Sequence, residues 1–268
     1  MSDYALHSAY DNAAAVPQAP AFVARWAEAS RALRAQRPTG LDIPYGEGER
    51  RRWDVFPAAA PDAPCFVFIH GGYWQRNSRE GFACMAQAFL AQGWSAALPS
   101  HTLAPDASLT EIVAELRSAL DVLQAEGARL GVTGPVVLSG WSAGGHLAAL
   151  LADHPLVKLA APISGIFDLA PIRQTRFDDA LKLTEAEVAA LSPLRLALSP
   201  KPHLIFAGAR ELPGLRRQSL EFRNHRAENA QDGYYEIAGR NHFDVLDDLM
   251  SSEGAIFGEI VRNFRALA

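Results

Sequence analysis

Short apolar runs alternate with segments of helical periodicity along most of the chain. In residues 65–69 (CFVFI) every position is apolar, as in a strand covered on both faces. Between residues 110 and 124, apolar side chains recur every three or four positions, which predicts an amphipathic helix. The alternation of the two patterns predicts an α/β fold with a mostly parallel central sheet and helices on both faces.

Turn-forming residues set the limits of these predicted elements. Gly93 is a natural end for one helix and Thr110 a natural start for another. The glycines of residues 46–48 predict an antiparallel hairpin. The predicted strands cover residues 41–45, 52–56, 65–69, 94–98, 135–139, 159–163, 203–207 and 234–237, and the predicted helices cover 78–92, 110–124, 143–153, 215–228 and 254–266.

Two segments fall outside this rhythm. Residues 1–40 are predicted to be an N-terminal helical segment, and residues 168–202 read as a small cap insertion over one end of the sheet. No internal repeat or low-complexity linker separates the elements. We therefore expect residues 1–268 to form a single domain.

Composition narrows the class of protein without indicating any chemistry. The chain has 268 residues and a formal net charge of −5, so nothing attracts it electrostatically to nucleic acid. The two cysteines, Cys65 and Cys84, do not suggest a disulfide framework. With neither a signal peptide nor a membrane-length apolar run, we expect a cytoplasmic protein with no membrane partner. The sequence leaves open whether it is a monomer or a homodimer.

Residues 140–144 (GWSAG) carry the most specific chemical signal. They follow a predicted strand and precede a predicted helix, which is the context in which G-x-S-x-G forms a nucleophile elbow. The helix would direct its N-terminal N–H groups at Ser142. An ordinary glycine-rich turn, with Ser142 capping the helix, is the alternative. We predict that Ser142 is a catalytic nucleophile.

A serine hydroxyl needs a base, and the base needs an orienting carboxylate. His242 follows the last predicted strand, whereas His225 lies among charged residues and His146 lies within the helix after the elbow. Glu211 is the first carboxylate after the strand at 203–207 and lies between serine and histidine in chain order. We predict His242 and Glu211; the alternative for Glu211 is an ion pair with Arg210 or Arg216.

Residues 70–74 (HGGYW) follow the strand at 65–69, in the position of an oxyanion loop. Their glycines would let backbone N–H groups approach a substrate closely. The predicted oxyanion hole comprises Gly71, Gly72, Tyr73 and Ala143, and the predicted substrate-binding side chains are Tyr73, Trp74, Trp141 and Phe167, although Tyr73 and Trp74 could equally be core anchors of the loop.

Together these motifs resemble the α/β-hydrolase superfamily and, within it, the kynurenine formamidase (arylformamidase) group. The resemblance includes residues 10–12 (YDN), 70–74 (HGGYW), 102–106 (TLAPD), 164–169 (SGIFDL) and 208–219. Three features depart from that group's pattern: Glu211 replaces the usual aspartate, His101 replaces a tyrosine, and apolar residues surround Pro213. These departures lie near the predicted site, so they bear on which substrate the protein accepts and not on the fold or the predicted catalytic residues.

The resemblance implies an α/β-hydrolase fold and hydrolysis of N-formyl-L-kynurenine to formate and L-kynurenine, a step of tryptophan catabolism. It also implies a formyl-enzyme intermediate on Ser142. No cofactor or metal is expected, since the chain has no H-E-x-x-H or paired-cysteine motif. A carboxylesterase or amidase acting on other small aromatic or short-acyl substrates would show the same motifs. A non-catalytic binding protein with this fold is a further alternative.

Overall fold

One eight-stranded sheet forms the centre of the protein in a computed structural model that describes residue 4 and residues 6–267. The strand order is β1-β2-β4-β3-β5-β6-β7-β8; β1, β2 and β4 pair antiparallel, and the remaining pairs are parallel. The strands are β1 (Ile43–Pro44), β2 (Arg52–Phe56), β3 (Cys65–Ile69), β4 (Ser95–Pro99), β5 (Val136–Trp141), β6 (Val157–Ile163), β7 (Leu204–Gly208) and β8 (Gly233–Ile237). The predicted mostly parallel sheet is confirmed.

Helices surround this sheet. They are α1 (His7–Tyr10), α2 (Asn12–Ala15), α3 (Ala19–Gln36), α4 (Gln87–Ala91), α5 (Leu109–Leu130), α6 (Ala143–Leu150), α7 (Asp178–Leu181), α8 (Glu185–Leu191), α9 (Pro213–His225), α10 (Asp247–Met250) and α11 (Ala255–Ala266). Among the described residues, no helix is both long enough and apolar enough to span a membrane.

The sheet separates two apolar cores, as a continuous apolar run predicts. Along β3, Cys65, Val67 and Ile69 belong to one buried cluster, while Phe66 and Phe68 belong to the cluster on the opposite face. Successive side chains of a strand point to opposite faces, so five consecutive apolar residues supply both cores. Strand β3 is thereby fixed in the middle of the fold.

Two details of the predicted helices are wrong. The helix predicted at 78–92 consists of two 3₁₀ turns followed by α4, and the Cys84 N–H donates to Ser30 Oγ at 3.0 Å, outside the segment's own backbone. Helix α5 is capped by Ser108 rather than Thr110, because Ser108 Oγ accepts from the Glu111 N–H at 3.2 Å. The Thr110 hydroxyl instead donates to Glu187 of α8 at 3.0 Å.

Between β6 and β7 the chain forms two 3₁₀ turns and the short helices α7 and α8. This segment lies beside the N-terminal helices: the Leu6 N–H donates to the Gln174 carbonyl at 3.4 Å, and the rings of His7 and Phe177 are 5.1 Å apart. Segments from distant parts of the sequence therefore meet near the carboxyl ends of the parallel strands.

Candidate active site

Ser142 lies on a strained turn between β5 and α6. Its φ is +58°, a left-handed value that a non-glycine residue seldom adopts. A Cβ atom on Gly144 would collide with the carbonyl oxygen of Ile69, and one on Gly140 with the carbonyl of Gly144. The two flanking glycines therefore allow the close packing that holds the serine in this conformation.

His242 follows β8 on a loop that is held from two sides. Asn241 and Asp244 brace the loop, since Asp244 Oδ1 accepts from the Asn241 N–H at 2.6 Å. The Trp141 indole N–H donates to the His242 carbonyl at 2.8 Å, which ties this loop to the residue preceding Ser142. Ser142 and His242 line the same cavity although each is almost fully buried, at 2% and 3% exposure.

Glu211, which follows β7, directs one carboxylate oxygen at this histidine. Its Oε2 lies 3.5 Å from His242 Nδ1, a long contact of the kind that can tighten when a substrate binds. Its Oε1 accepts from the Gly208 N–H at 2.7 Å and from the Ser164 hydroxyl. Among the described residues Glu211 forms no ion pair with Arg210 or Arg216, and Arg216 pairs instead with Glu236 at 2.9 Å.

The other histidines weighed as the base are placed differently. The ring of His225 faces the Leu196 carbonyl at 3.2 Å in an exposed position. His146 is fully buried, and its Nε2 lies 2.7 Å from the Leu191 carbonyl. Burial lowers the pKa of His146 to about 4, so its ring is neutral at pH 7. Neither residue lines the cavity that contains Ser142.

Backbone N–H groups are available beside Ser142. Within the described part of the chain, the N–H groups of Gly72, Tyr73 and Ala143 have no hydrogen-bond acceptor. Gly72 has φ +121° and Tyr73 +51°, so the loop turns sharply after β3. Gly71 lies against the Trp141 ring, where a Cβ would approach to 2.6 Å, and it is not on the cavity wall. Of the predicted four, Gly72 and Tyr73 thus line the cavity, and Ala143 directly follows Ser142, which also lines it.

The loop that carries Gly72 and Tyr73 is held by a neutral histidine. His70 Nδ1 lies 2.9 Å from the Gly71 carbonyl, and its ring stacks on His101 at 4.8 Å. Burial, with a further contribution from His101, lowers the pKa of His70 well below 6.5. Both stacked rings are uncharged at pH 7, since burial also lowers the pKa of His101 to about 4.

The cavity beside Ser142 has a volume of about 600 Å³ and mostly apolar walls. Of the four predicted substrate-binding side chains, Tyr73 and Trp141 line it, but Trp74 and Phe167 do not. Trp74 packs edge-on against His146 at 5.0 Å, and Phe167 stacks on Phe222 at 4.2 Å. We correct the prediction for Trp74 and Phe167: both are buried core residues.

One wall of this cavity comes from the N-terminal segment, which the sequence analysis did not assign to the site. The wall residues not predicted from the sequence are Asp11, Asn12, Ala13, Pro17, Ala19, Pro20, Val23, Ala24, Ala27, Arg76, Asn77, Phe177 and Phe243. The YDN motif at residues 10–12 was the available signal, since Asp11 and Asn12 belong to it. Helical periodicity alone gave no indication that these residues face a cavity.

Two opposite charges stand on the cavity wall. Arg76 is exposed and makes no ion pair with any residue in the described part of the chain. Asp11 caps α2 by accepting from the Ala14 N–H at 3.1 Å, and its other oxygen lies 3.4 Å from His7 Nε2. An arginine without a carboxylate partner can bind an anionic group of a ligand. Residues 4 and 6–267 contain no group of three or more side chains that could hold a metal ion.

Comparison with known proteins finds several hydrolases that are similar to this chain. The family model described as BD-FAE matches residues 55–160. Kynurenine formamidase from Salmo salar is 29% identical over 84% of this chain and 82% of its own, and the Danio rerio enzyme is 29% identical over 81% and 79%. Esterase LipC of Mycobacterium tuberculosis is 26% identical over 76% of this chain and 59% of its own.

Solved structures give the same fold. A "putative thioesterase" from Silicibacter sp. has a TM-score of 0.86 at 28% identity, covering 96% of this chain and 98% of its own. Esterase B from Lactobacillus rhamnosis has a TM-score of 0.70 at 20% identity, covering 94% and 96%. Each match spans most of both chains, so the likeness extends across the whole sheet and is not limited to the elbow.

Proposed function

We propose that this chain, which has the α/β-hydrolase fold and resembles kynurenine formamidases, is a hydrolase that converts N-formyl-L-kynurenine to formate and L-kynurenine. One observation carries the proposal: Ser142 and His242 line a single cavity with free backbone N–H groups beside the serine. This arrangement supports the proposal because acyl transfer requires a nucleophile, a base and oxyanion donors close together. The formamidase relatives supply the substrate class.

In the proposed reaction, Ser142 Oγ attacks the formyl carbon while His242 Nε2 accepts the hydroxyl proton. The N–H groups of Gly72, Tyr73 and Ala143 hold the resulting oxyanion, and the Glu211 carboxylate stabilises the imidazolium. The C–N bond then breaks, and the proton passes from His242 to the departing arylamine nitrogen.

The formyl ester on Ser142 is removed by the same groups in reverse. Water gives a proton to His242 and attacks the formyl carbon, the C–O bond to Ser142 breaks, and the proton returns to Ser142 Oγ. Formic acid leaves, gives its proton to solvent to become formate, and the free enzyme is restored. His242 carries the proton in each transfer to or from Ser142, the arylamine and water, so the proposed cycle draws on the protein's own side chains and water.

The walls of the cavity suit the two ends of this substrate. Tyr73, Trp141 and Phe177 offer aromatic surface for the aryl ring, and the Tyr73 and Phe177 rings stack at a centroid distance of 3.6 Å. We propose that Arg76 binds the α-carboxylate of the amino-acid end and that Asp11 binds its ammonium group. Among the described residues, an arginine without an ion-pair partner and a carboxylate that line the same cavity match a zwitterion in both signs of charge.

The test is turnover of N-formyl-L-kynurenine, followed by the release of kynurenine. Replacing Ser142 by Ala is expected to abolish turnover and leave the fold intact, because the hydroxyl contributes little to the core. Ser251→Ala is the matched control, since Ser251 is exposed and does not line the cavity. Turnover by Ser142→Ala at the wild-type rate would overturn the assignment of the site.

A carboxylesterase is the second candidate, favoured by the esterases among the relatives and structural neighbours. The elbow, base and oxyanion donors serve both reactions equally, so the residues near Ser142 do not separate them. A panel of N-formylkynurenine, formanilide and p-nitrophenyl acetate does. Strong preference for the ester with no turnover of either formamide would replace the formamidase proposal by this one.

A further inference from the structure

We propose that Ser164 is a positioning residue: its hydroxyl holds the Glu211 carboxylate in the orientation that lets Glu211 act on His242. The inference rests on the proposed roles of Ser142, His242 and Glu211, and it adds a fourth residue to them. Ser164 neither lines the cavity nor follows from the elbow motif. It therefore acts through Glu211 and does not touch the substrate.

Ser164 has a left-handed backbone conformation that is unfavourable for serine. It is the first residue after β6, it is fully buried, and its φ is +52°. Its N–H donates to the carbonyl of Phe206 in the middle of β7 at 2.8 Å, which fixes Ser164 to that strand. Glycine or asparagine adopts such a φ at lower cost than serine. A strained serine at this position suggests that its hydroxyl is needed.

The Ser164 hydroxyl makes one hydrogen bond among the described residues. It donates to Glu211 Oε1, which also accepts from the Gly208 N–H at 2.7 Å. Two donors on one oxygen fix the rotation of the carboxylate plane and leave Oε2 to face His242 Nδ1 at 3.5 Å. Glutamate has one more rotatable bond than aspartate. The side chain of a catalytic glutamate therefore needs an additional contact to hold its carboxylate in one orientation.

The hydroxyl and the strained backbone can be separated by two substitutions. Ser164→Ala removes the hydroxyl and keeps the strain, whereas Ser164→Gly removes the hydroxyl and suits the φ of +52°. If the hydroxyl positions Glu211, both variants lose about 10- to 100-fold in kcat, the effect of losing a hydrogen bond to a charged group, with KM unchanged. If only the backbone matters, Ser164→Gly keeps wild-type kcat, and the proposal fails.

Ser219→Ala is the matched control for loss of a buried hydroxyl. Ser219 is fully buried, and its hydroxyl has no hydrogen-bond partner among the described residues. We expect Ser219→Ala to keep the wild-type kcat. An equal loss in Ser219→Ala and Ser164→Ala would show that any buried serine has the same effect, which contradicts a positioning role.

A double variant tests whether Ser164 acts through Glu211. In a Glu211→Ala background there is no carboxylate to hold, so adding Ser164→Ala should lower kcat no further. A further loss as large as that of the single variant would mean that Ser164 acts independently, against the proposal.

Reaction of Ser142 with a fluorophosphonate gives a second readout that needs no substrate. We expect the labelling rate to fall in the Ser164 variants as kcat does. If wild type is labelled at Ser142 but leaves N-formylkynurenine intact, the substrate proposal fails while the Ser164 test proceeds by labelling. If Ser142 of the wild type is not labelled, the catalytic roles fail and the Ser164 proposal fails with them.

Discussion

Replacing Glu211 by Gln should place the catalytic proton on the wrong nitrogen of His242. Oε1 of Glu211 accepts two hydrogen bonds, from Ser164 and Gly208, so the amide oxygen of Gln must take that position. The amide NH₂ then faces His242 Nδ1, which lies 3.5 Å from Oε2 in the present structure. Since NH₂ only donates, Nδ1 must accept, and the imidazole carries its proton on Nε2. That nitrogen can then no longer accept the proton of Ser142.

The expected magnitude follows from this change of tautomer. Losing the correct tautomer in a serine–histidine–carboxylate site costs about 10⁴-fold in kcat, or about 5 kcal/mol of transition-state stabilisation. Stability should change by no more than about 1 kcal/mol, because both buried donors keep an acceptor. Steady-state kinetics gives the first quantity and urea unfolding gives the second.

Glu211→Asp is the matched comparison because it keeps the charge and shortens the side chain. It should lose less activity than Glu211→Gln, since a carboxylate still accepts from Nδ1 and keeps the proton there. Activity of Glu211→Gln within tenfold of wild type would refute the tautomer argument. A larger loss in Glu211→Asp than in Glu211→Gln would indicate that geometry, and not tautomer, controls the rate.

Two further predictions concern binding and stability. Arg76→Gln should raise KM for N-formyl-L-kynurenine about tenfold, the effect of one charged hydrogen bond, and leave KM for formanilide unchanged. Equal changes in KM for both substrates would contradict carboxylate binding by Arg76. Arg173→Gln is the control, since Arg173 is an exposed arginine that does not line the cavity. Burial lowers the pKa of His101 from 6.5 to about 4 and that of His203 to about 3, so below pH 6.5 these two side chains bind fewer protons in the folded protein than in the unfolded chain. The free energy of unfolding should therefore be highest above pH 6.5 and fall as the pH drops toward 4, less steeply in His203→Gln; equal slopes in urea titrations of the two proteins would contradict this.

Local patterns determined much of the fold and the identity of the central residues. The apolar run of β3 can supply two buried faces only as a central strand, and GWSAG between a strand and a helix restricts the local turn to an elbow. Glu211 and His242 lie in the loops that follow β7 and β8, and the carboxyl ends of parallel strands meet at one edge of a sheet. These features can be predicted from the sequence because they depend on residues that are close together along the chain.

Only the tertiary structure decided which side chains surround the cavity. Trp74 is adjacent to Tyr73 in sequence, yet it packs against His146 while Tyr73 lines the cavity. The two side chains diverge because both residues have positive φ values, so the loop turns sharply there. Asp11 and Ser142 line the same cavity although more than a hundred residues separate them in the sequence. Ser164 meets Glu211 only where two strand ends lie side by side. These contacts depend on how distant segments pack, and periodicity within one segment carries no information about them.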